Sequence, residues 1–147
     1  MELIDNKALK ITVPNDIVER ITTAVEKTKV LDTREHLTDL LIHWGPDELT
    51  QLNSIVTFKK PLPSPITNDY KYTGRWVPFD HQKTTSEFLS INKRAFCFNE
   101  AGTGKTSSVL WASDYLMNLG IIKRVLVICP LSITTSAWKN DIYNTCI

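Results

Sequence analysis

Asn99-Glu100-Ala101-Gly102-Thr103-Gly104-Lys105-Thr106 sets two glycines, a lysine and a threonine in an order suited to gripping a chain of phosphates. Gly102 and Gly104 allow positive φ and close backbone approach, so the N–H groups of this loop, Thr103 included, can converge on phosphate oxygens. Lys105 is placed to reach the β- and γ-phosphates of a nucleotide, and the Thr106 hydroxyl to ligate Mg²⁺. The general pattern G-x-x-x-x-G-K-[ST] has glycine first, whereas this chain has Asn99. The competing reading is a glycine-rich turn that binds nothing.

Such a loop works only between a strand and a helix. Ala95-Phe96-Cys97-Phe98 is a short apolar run that predicts a strand buried on both faces. Beyond the loop, Val109, Ala112, Leu116 and Leu119 recur at helical spacing and Gly120 supplies a stop. Arg124-Val125-Leu126-Val127-Ile128-Cys129 predicts a second buried strand, at a separation that suits a right-handed βαβ crossover. Pro130-Leu131-Ser132 would then leave that strand at its carboxyl end, where open α/β sheets bind ligands. A helix is expected from about Ser132, carrying Trp138. Ser132 either touches a nucleic-acid phosphate or simply caps the helix, and Trp138 is expected in the core.

Upstream, Pro78-Phe79-Asp80-His81-Gln82 opens a helix expected to run to about Asn92, with Asp80 as its N-cap. The Gln82 carboxamide offers one acceptor and two donors, which match the N6/N7 edge of adenine. Its place shortly before the glycine loop is what makes it a candidate adenine reader. Tyr70, Tyr72 and Trp76, with Arg75 between the last two, form either a stacking platform for a base or a packing cluster that pins the segment to a core.

The whole chain has 147 residues and a net charge of +1, enough length for one full domain and too little charge for a strongly basic nucleic-acid footprint. Residues 1–60 carry 8 Lys/Arg against 10 Asp/Glu and residues 61–147 carry 9 against 6, a mild shift towards positive charge. Cys97, Cys129 and Cys146 have no paired spacing, which fits a reducing, cytoplasmic compartment. The apolar runs fall short of the roughly 18 residues of a membrane span, so no membrane partner is expected.

Residues 1–58 read as a small accessory α+β unit, mostly helical. Leu9-Lys10-Ile11-Thr12-Val13 alternates like a half-wet strand that Pro14 ends. Ile17, Ile21 and Val25 predict a helix with Asn15 as N-cap, and Leu37, Leu40, Leu41 and Trp44 predict a second helix. Gly45-Pro46 then opens a third, through Ile55. His36 and His43 would share a helical face, but nothing nearby completes a zinc site. Three prolines within Lys59–Pro65 mark a linker over residues 59–74.

Gln82, the loop 99–106, and Val127-Ile128-Cys129-Pro130-Leu131-Ser132 with Trp138 beyond resemble the Q motif and motifs I and Ia of superfamily-two helicases, in the expected order. The resemblance is closest to the Swi/Snf-type branch of double-strand DNA translocases and its phage or bacterial relatives, and covers about residues 75–143. It implies an α/β fold over residues 75–147, the first part of a RecA-like P-loop domain with a parallel βαβ core. It also implies binding of ATP and Mg²⁺, with Gln82 on adenine, Gly102, Thr103, Gly104, Lys105 and Thr106 on phosphate and metal, Lys105 and Thr106 serving catalysis, and Ser132 beside DNA.

The same resemblance places an acidic Walker B motif and a second RecA-like domain with an arginine finger further along the family's chain. Neither occurs within these residues, and an arginine finger alone is worth about 10³ to 10⁵ in rate. The expected behaviour is therefore nucleotide binding with little hydrolysis. Two readings follow: the amino-terminal part of an ATP-dependent DNA helicase or translocase, or a complete small helicase-derived module that contacts DNA, nucleotide or a protein without catalysis. A reading frame continuing past Ile147 into an acidic motif would favour the first.

Overall fold

The computed structural model describes residues 1–146, in two compact units, Met1–Pro65 and Ile66–Ile147. The division falls inside the proline-rich stretch. Each unit has its own construction.

The first unit is a four-stranded sheet with two helices. Strands β1 (Glu2–Ile4), β2 (Ala8–Pro14), β3 (Thr28–Thr33) and β4 (Leu37–His43) lie in the order β1-β2-β4-β3, every pair antiparallel. Alternation along β2 buries Leu9, Ile11 and Val13, and along β4 it buries Leu40 and Ile42. Helices α1 (Val18–Ala24) and α2 (Pro46–Ile55) add Ile21, Leu49 and Leu52 to that core. Pro46 stands at the first turn of α2, where its missing N–H costs nothing. The proline-rich segment is tied down as well, because the Trp44 indole N–H donates to the Pro63 carbonyl at 2.8 Å.

The helix expected over Leu37–Trp44 is strand β4. Its leucines fit helical spacing, but Thr38, Leu40 and Ile42 also alternate, and both β2 and β3 offer it antiparallel partners. The accessory unit is thus built on a sheet rather than mostly on helices. Asn15 does not cap α1: its amide donates to the Arg34 and Glu35 carbonyls across the β3–β4 turn, and Ile17 takes the cap position.

The second unit is helical. Helices α3 (Ile66–Asp69), α4 (Asp80–Ser90) and α5 (Lys105–Asn118) are followed by a helical run made of α6 (Leu131–Ile133), a wider π-type turn Thr134–Lys139 and α7 (Asn140–Thr145). Ile66, Tyr70, Trp111 and Tyr115 form its core, with Tyr72 and Leu116 against them. The Tyr70–Tyr72 and Tyr72–Trp111 rings meet edge to face at 5.1 and 5.4 Å, so these two tyrosines pack rather than offer a platform. Helices α4 and α5 approach through small residues, and the Ser86 hydroxyl donates to the Ser108 carbonyl at 3.0 Å. Asp80 is the first helical residue of α4 and Phe79 holds the cap position.

The parallel βαβ core of a RecA-like α/β domain is not present. The only sheet among the described residues is the antiparallel one in the first unit. Residues 95–98 and 124–129 form no ladder with one another or with that sheet. Two short parallel strands make a marginal sheet and need helices over both faces; α4 and α7 pack on α5 instead. The apolar side chains of those segments consequently face solvent, with Phe96 82%, Phe98 88%, Leu126 84% and Ile128 90% exposed. Trp138 is half-buried and outside the core cluster.

Candidate functional site

The glycine loop of the second unit leads directly into a helix despite the missing sheet. Gly102 and Gly104 have φ of 80° and 75°, the left-handed conformations that their type permits, and α5 begins at Lys105. The first N–H groups of this 14-residue helix have no partner within it, so they and the helix dipole face whatever lies over the loop. The Lys105 ammonium folds back onto the loop, donating to the Asn99 carbonyl at 2.9 Å and the Glu100 carbonyl at 2.7 Å. It thereby braces the turn around a cradle of amides.

Helix α4 holds the loop from the other side. The Gln82 amide donates to the Thr103 carbonyl at 3.2 Å, while its oxygen accepts the Phe79 N–H at 3.0 Å. A ring nitrogen of His81 meets the same Thr103 carbonyl at 3.1 Å, and the His81 ring stacks on Phe79 at 5.7 Å. Asn99 donates to the Thr85 hydroxyl at 3.0 Å, a tether that glycine at this position would lack. A Cβ on Gly104 would collide with the Gln82 amide, so that glycine is required by close approach as well as by its φ. One amide hydrogen of Gln82 stays uncommitted.

These residues border a cavity of about 660 Å³, within the range of small-molecule sites. Gln82, Gly102, Gly104, Lys105 and Thr106 all line it, so most of the sequence-expected site comes together in one place. Thr103 serves through its carbonyl as the anchor of α4, and Ser132 is exposed and outside the lining. Two further sides are made by the segment Arg75–Val77 with Phe79 and by Asp141 of α7. Trp76 is 44% exposed, the member of the aromatic group that faces the cavity. Its backbone is fixed by donation from the Trp76 N–H to the Asn144 carbonyl at 3.1 Å.

Asp141 lies on the helix expected after Ser132, and nothing in its spacing links it to a loop some 35 positions earlier. Its partners on α7 explain the placement. The Trp111 indole N–H donates to the Thr145 carbonyl at 3.0 Å, and Gly74 packs so closely on the Thr145 backbone that a side chain would not fit. Burial holds the Asp141 carboxyl above the ordinary carboxylate range. No protein-family model matches the chain, and neither does any curated protein or solved structure. The fold and site together define a small sheet unit followed by a helical unit in which a glycine loop leads into a helix N-terminus beside a cavity.

Proposed function

We propose that the second unit binds Mg-ATP in the cavity over residues 99–106, as the amino-terminal part of an ATP-dependent DNA helicase or translocase. The observation that carries the nucleotide reading is the loop itself: two left-handed glycines, unpartnered amides at the start of α5, and a lysine held over them, all opening on one cavity. Triphosphate oxygens would take the place of the Asn99 and Glu100 carbonyls as acceptors for Lys105. The free amide hydrogen of Gln82 and the face of Trp76, which border the same cavity, suit a purine.

The Thr106 hydroxyl lines the cavity and fits a Mg²⁺ ion carried by the phosphates; bound there, the ion would neutralise phosphate charge. The helicase assignment rests on the order of Gln82, the loop and Ser132 along the chain, and contact of Ser132 with DNA belongs to it. Hydrolysis by these residues alone is expected to be slow, because none of them matches the acidic Walker B motif or the arginine finger that the helicase resemblance calls for. The test is calorimetric titration of ATP into the chain and into Lys105→Ala, with phosphate release followed on the same samples. Binding lost in the variant supports the reading, and equal affinity in both sinks it.

A further inference from the structure

We propose that Asp141 is the protein carboxylate that, with the Thr106 hydroxyl, holds the divalent cation entering with the nucleotide. The inference rests on the nucleotide reading above and adds a residue from a different helix. Asp141 and Thr106 border the same cavity. Helix α7 is pinned one turn beyond Asp141 by the Trp111–Thr145 and Trp76–Asn144 hydrogen bonds, so the backbone that carries the carboxylate is fixed beside the cavity.

The carboxylate is also short of a cation. Among the described residues its side chain has no hydrogen bond or ion pair, although Arg75 and Lys105 line the same cavity. A half-buried carboxylate beside a triphosphate repels it unless a cation stands between them. Elsewhere, no three His, Cys, Asp or Glu side chains among the described residues gather to bind an ion unaided.

Magnesium suits that arrangement. It takes oxygen ligands only, keeps several of its waters, and is commonly held by one or two carboxylates together with substrate phosphates. Thr106 and Asp141 supply one hydroxyl and one carboxylate, and Asp141 can act directly or through a retained water. The cation then couples the α5 and α7 sides of the cavity to nucleotide occupancy.

The experiment is titration of ATP, with excess Mg²⁺ and with EDTA, into the full chain, Asp141→Asn, Thr106→Ala and the double variant. Electron paramagnetic resonance of Mn²⁺ in the presence of ATP provides a readout independent of turnover. The unaltered chain should bind the metal complex more tightly than free ATP. Asp141→Asn should lose about 10- to 100-fold in cation affinity while binding metal-free ATP at least as tightly as the unaltered chain, which also shows that it folds. The double variant should lose little beyond either single one, since both remove ligands of the same ion. An undiminished cation effect in Asp141→Asn overturns the inference and leaves the nucleotide reading standing. Absence of ATP binding in the unaltered chain under both conditions overturns that reading and the inference with it.

Discussion

The two units differ in which carboxylates and apolar side chains they leave uncommitted. In the first, Asp39 accepts from the Thr12 hydroxyl and from Arg34, each at 2.7 Å, and Glu48 pairs with Lys27 at 2.8 Å. In the second, Asp141 faces a cavity without a partner, and Phe96, Phe98, Leu126 and Ile128 stand in solvent. Phe96 and Phe98 even stack on each other, at 5.6 Å. A self-satisfied sheet is what a unit needs for its own stability; uncommitted charge and apolar surface are what ligands and partners use. The first unit is built as a scaffold, and the cavity with its uncommitted groups lies in the second.

The contrast breaks if core and exposed apolar residues prove equally costly to remove. Leu40 is fully buried between two antiparallel neighbours, and Leu40→Ala should cost about 2–5 kcal/mol, enough to unfold much of the first unit at 37 °C. Phe98→Ala, from a residue that already faces water, should stay within about 0.5 kcal/mol. Chemical denaturation monitored by circular dichroism measures both. A Phe98 cost comparable with that of Leu40 would mean that residues 95–98 are packed after all.

Glycine substitutions sharpen the site side of the comparison. Gly104→Ala forces a side chain into a left-handed backbone and onto the Gln82 amide, with an expected strain of about 1–3 kcal/mol. It should weaken ATP binding about tenfold or more, because the amide cradle shifts with it. Gly102→Ala meets open space, so only its φ is strained and the loss should be smaller. Calorimetric affinities in that order support the loop as the binding element; the reverse order would point away from Gln82 as its support.

Much of the site was legible in the sequence because it is local. Eight consecutive residues carry the loop, and glycine, lysine and threonine each have a conformational or chemical reason to be there. Helix α5 followed from the spacing of Val109, Ala112 and Leu116, and α2 from Gly45-Pro46. The strand over Leu9–Val13 was legible from its alternation and is β2, but the other strands were not, because strands depend on partners that no local pattern reveals. Ala95–Phe98 and Arg124–Cys129 have strand composition without strand neighbours, whereas Leu37–His43 has helical leucine spacing and two neighbours that make it a strand. Asp141 escaped notice for the same reason: its role lies in where α7 docks, through Trp111 and Gly74, and neither residue announces that contact.

Two tyrosines of the second unit's core separate a paired hydroxyl from an unpaired one. The Tyr70 hydroxyl donates to the Asp114 carboxylate at 2.6 Å, and Tyr70→Phe should cost about 1.5–3 kcal/mol, the range for a bond to a charged group. The Tyr115 hydroxyl is buried with no partner, so Tyr115→Phe should be neutral or slightly stabilising. Thermal unfolding of the two variants gives the comparison directly. A loss at Tyr115 matching that at Tyr70 would reveal a partner for the Tyr115 hydroxyl.

The smallest effects are in pH dependence, where the two kinds of carboxylate have opposite signs. The Thr12 hydrogen bond, aided by Arg34, holds Asp39 below the ordinary carboxylate range although burial works against it. Between its folded pKa and the unfolded value of about 3.9 the unfolded chain binds more protons. Asp39 therefore stabilises fully above that unfolded value, and its contribution is lost as pH falls through the folded pKa. Asp141 is held above the ordinary range by burial, so the folded chain binds more protons there and stability declines as pH rises through that window. At neutral pH Asp39→Asn should destabilise and flatten the acid limb of the stability curve, while Asp141→Asn should slightly stabilise. Denaturation midpoints from pH 3 to 8 check both signs, and a stabilising Asp39→Asn or a destabilising Asp141→Asn would erase the difference between a paired carboxylate and one kept free for a cation.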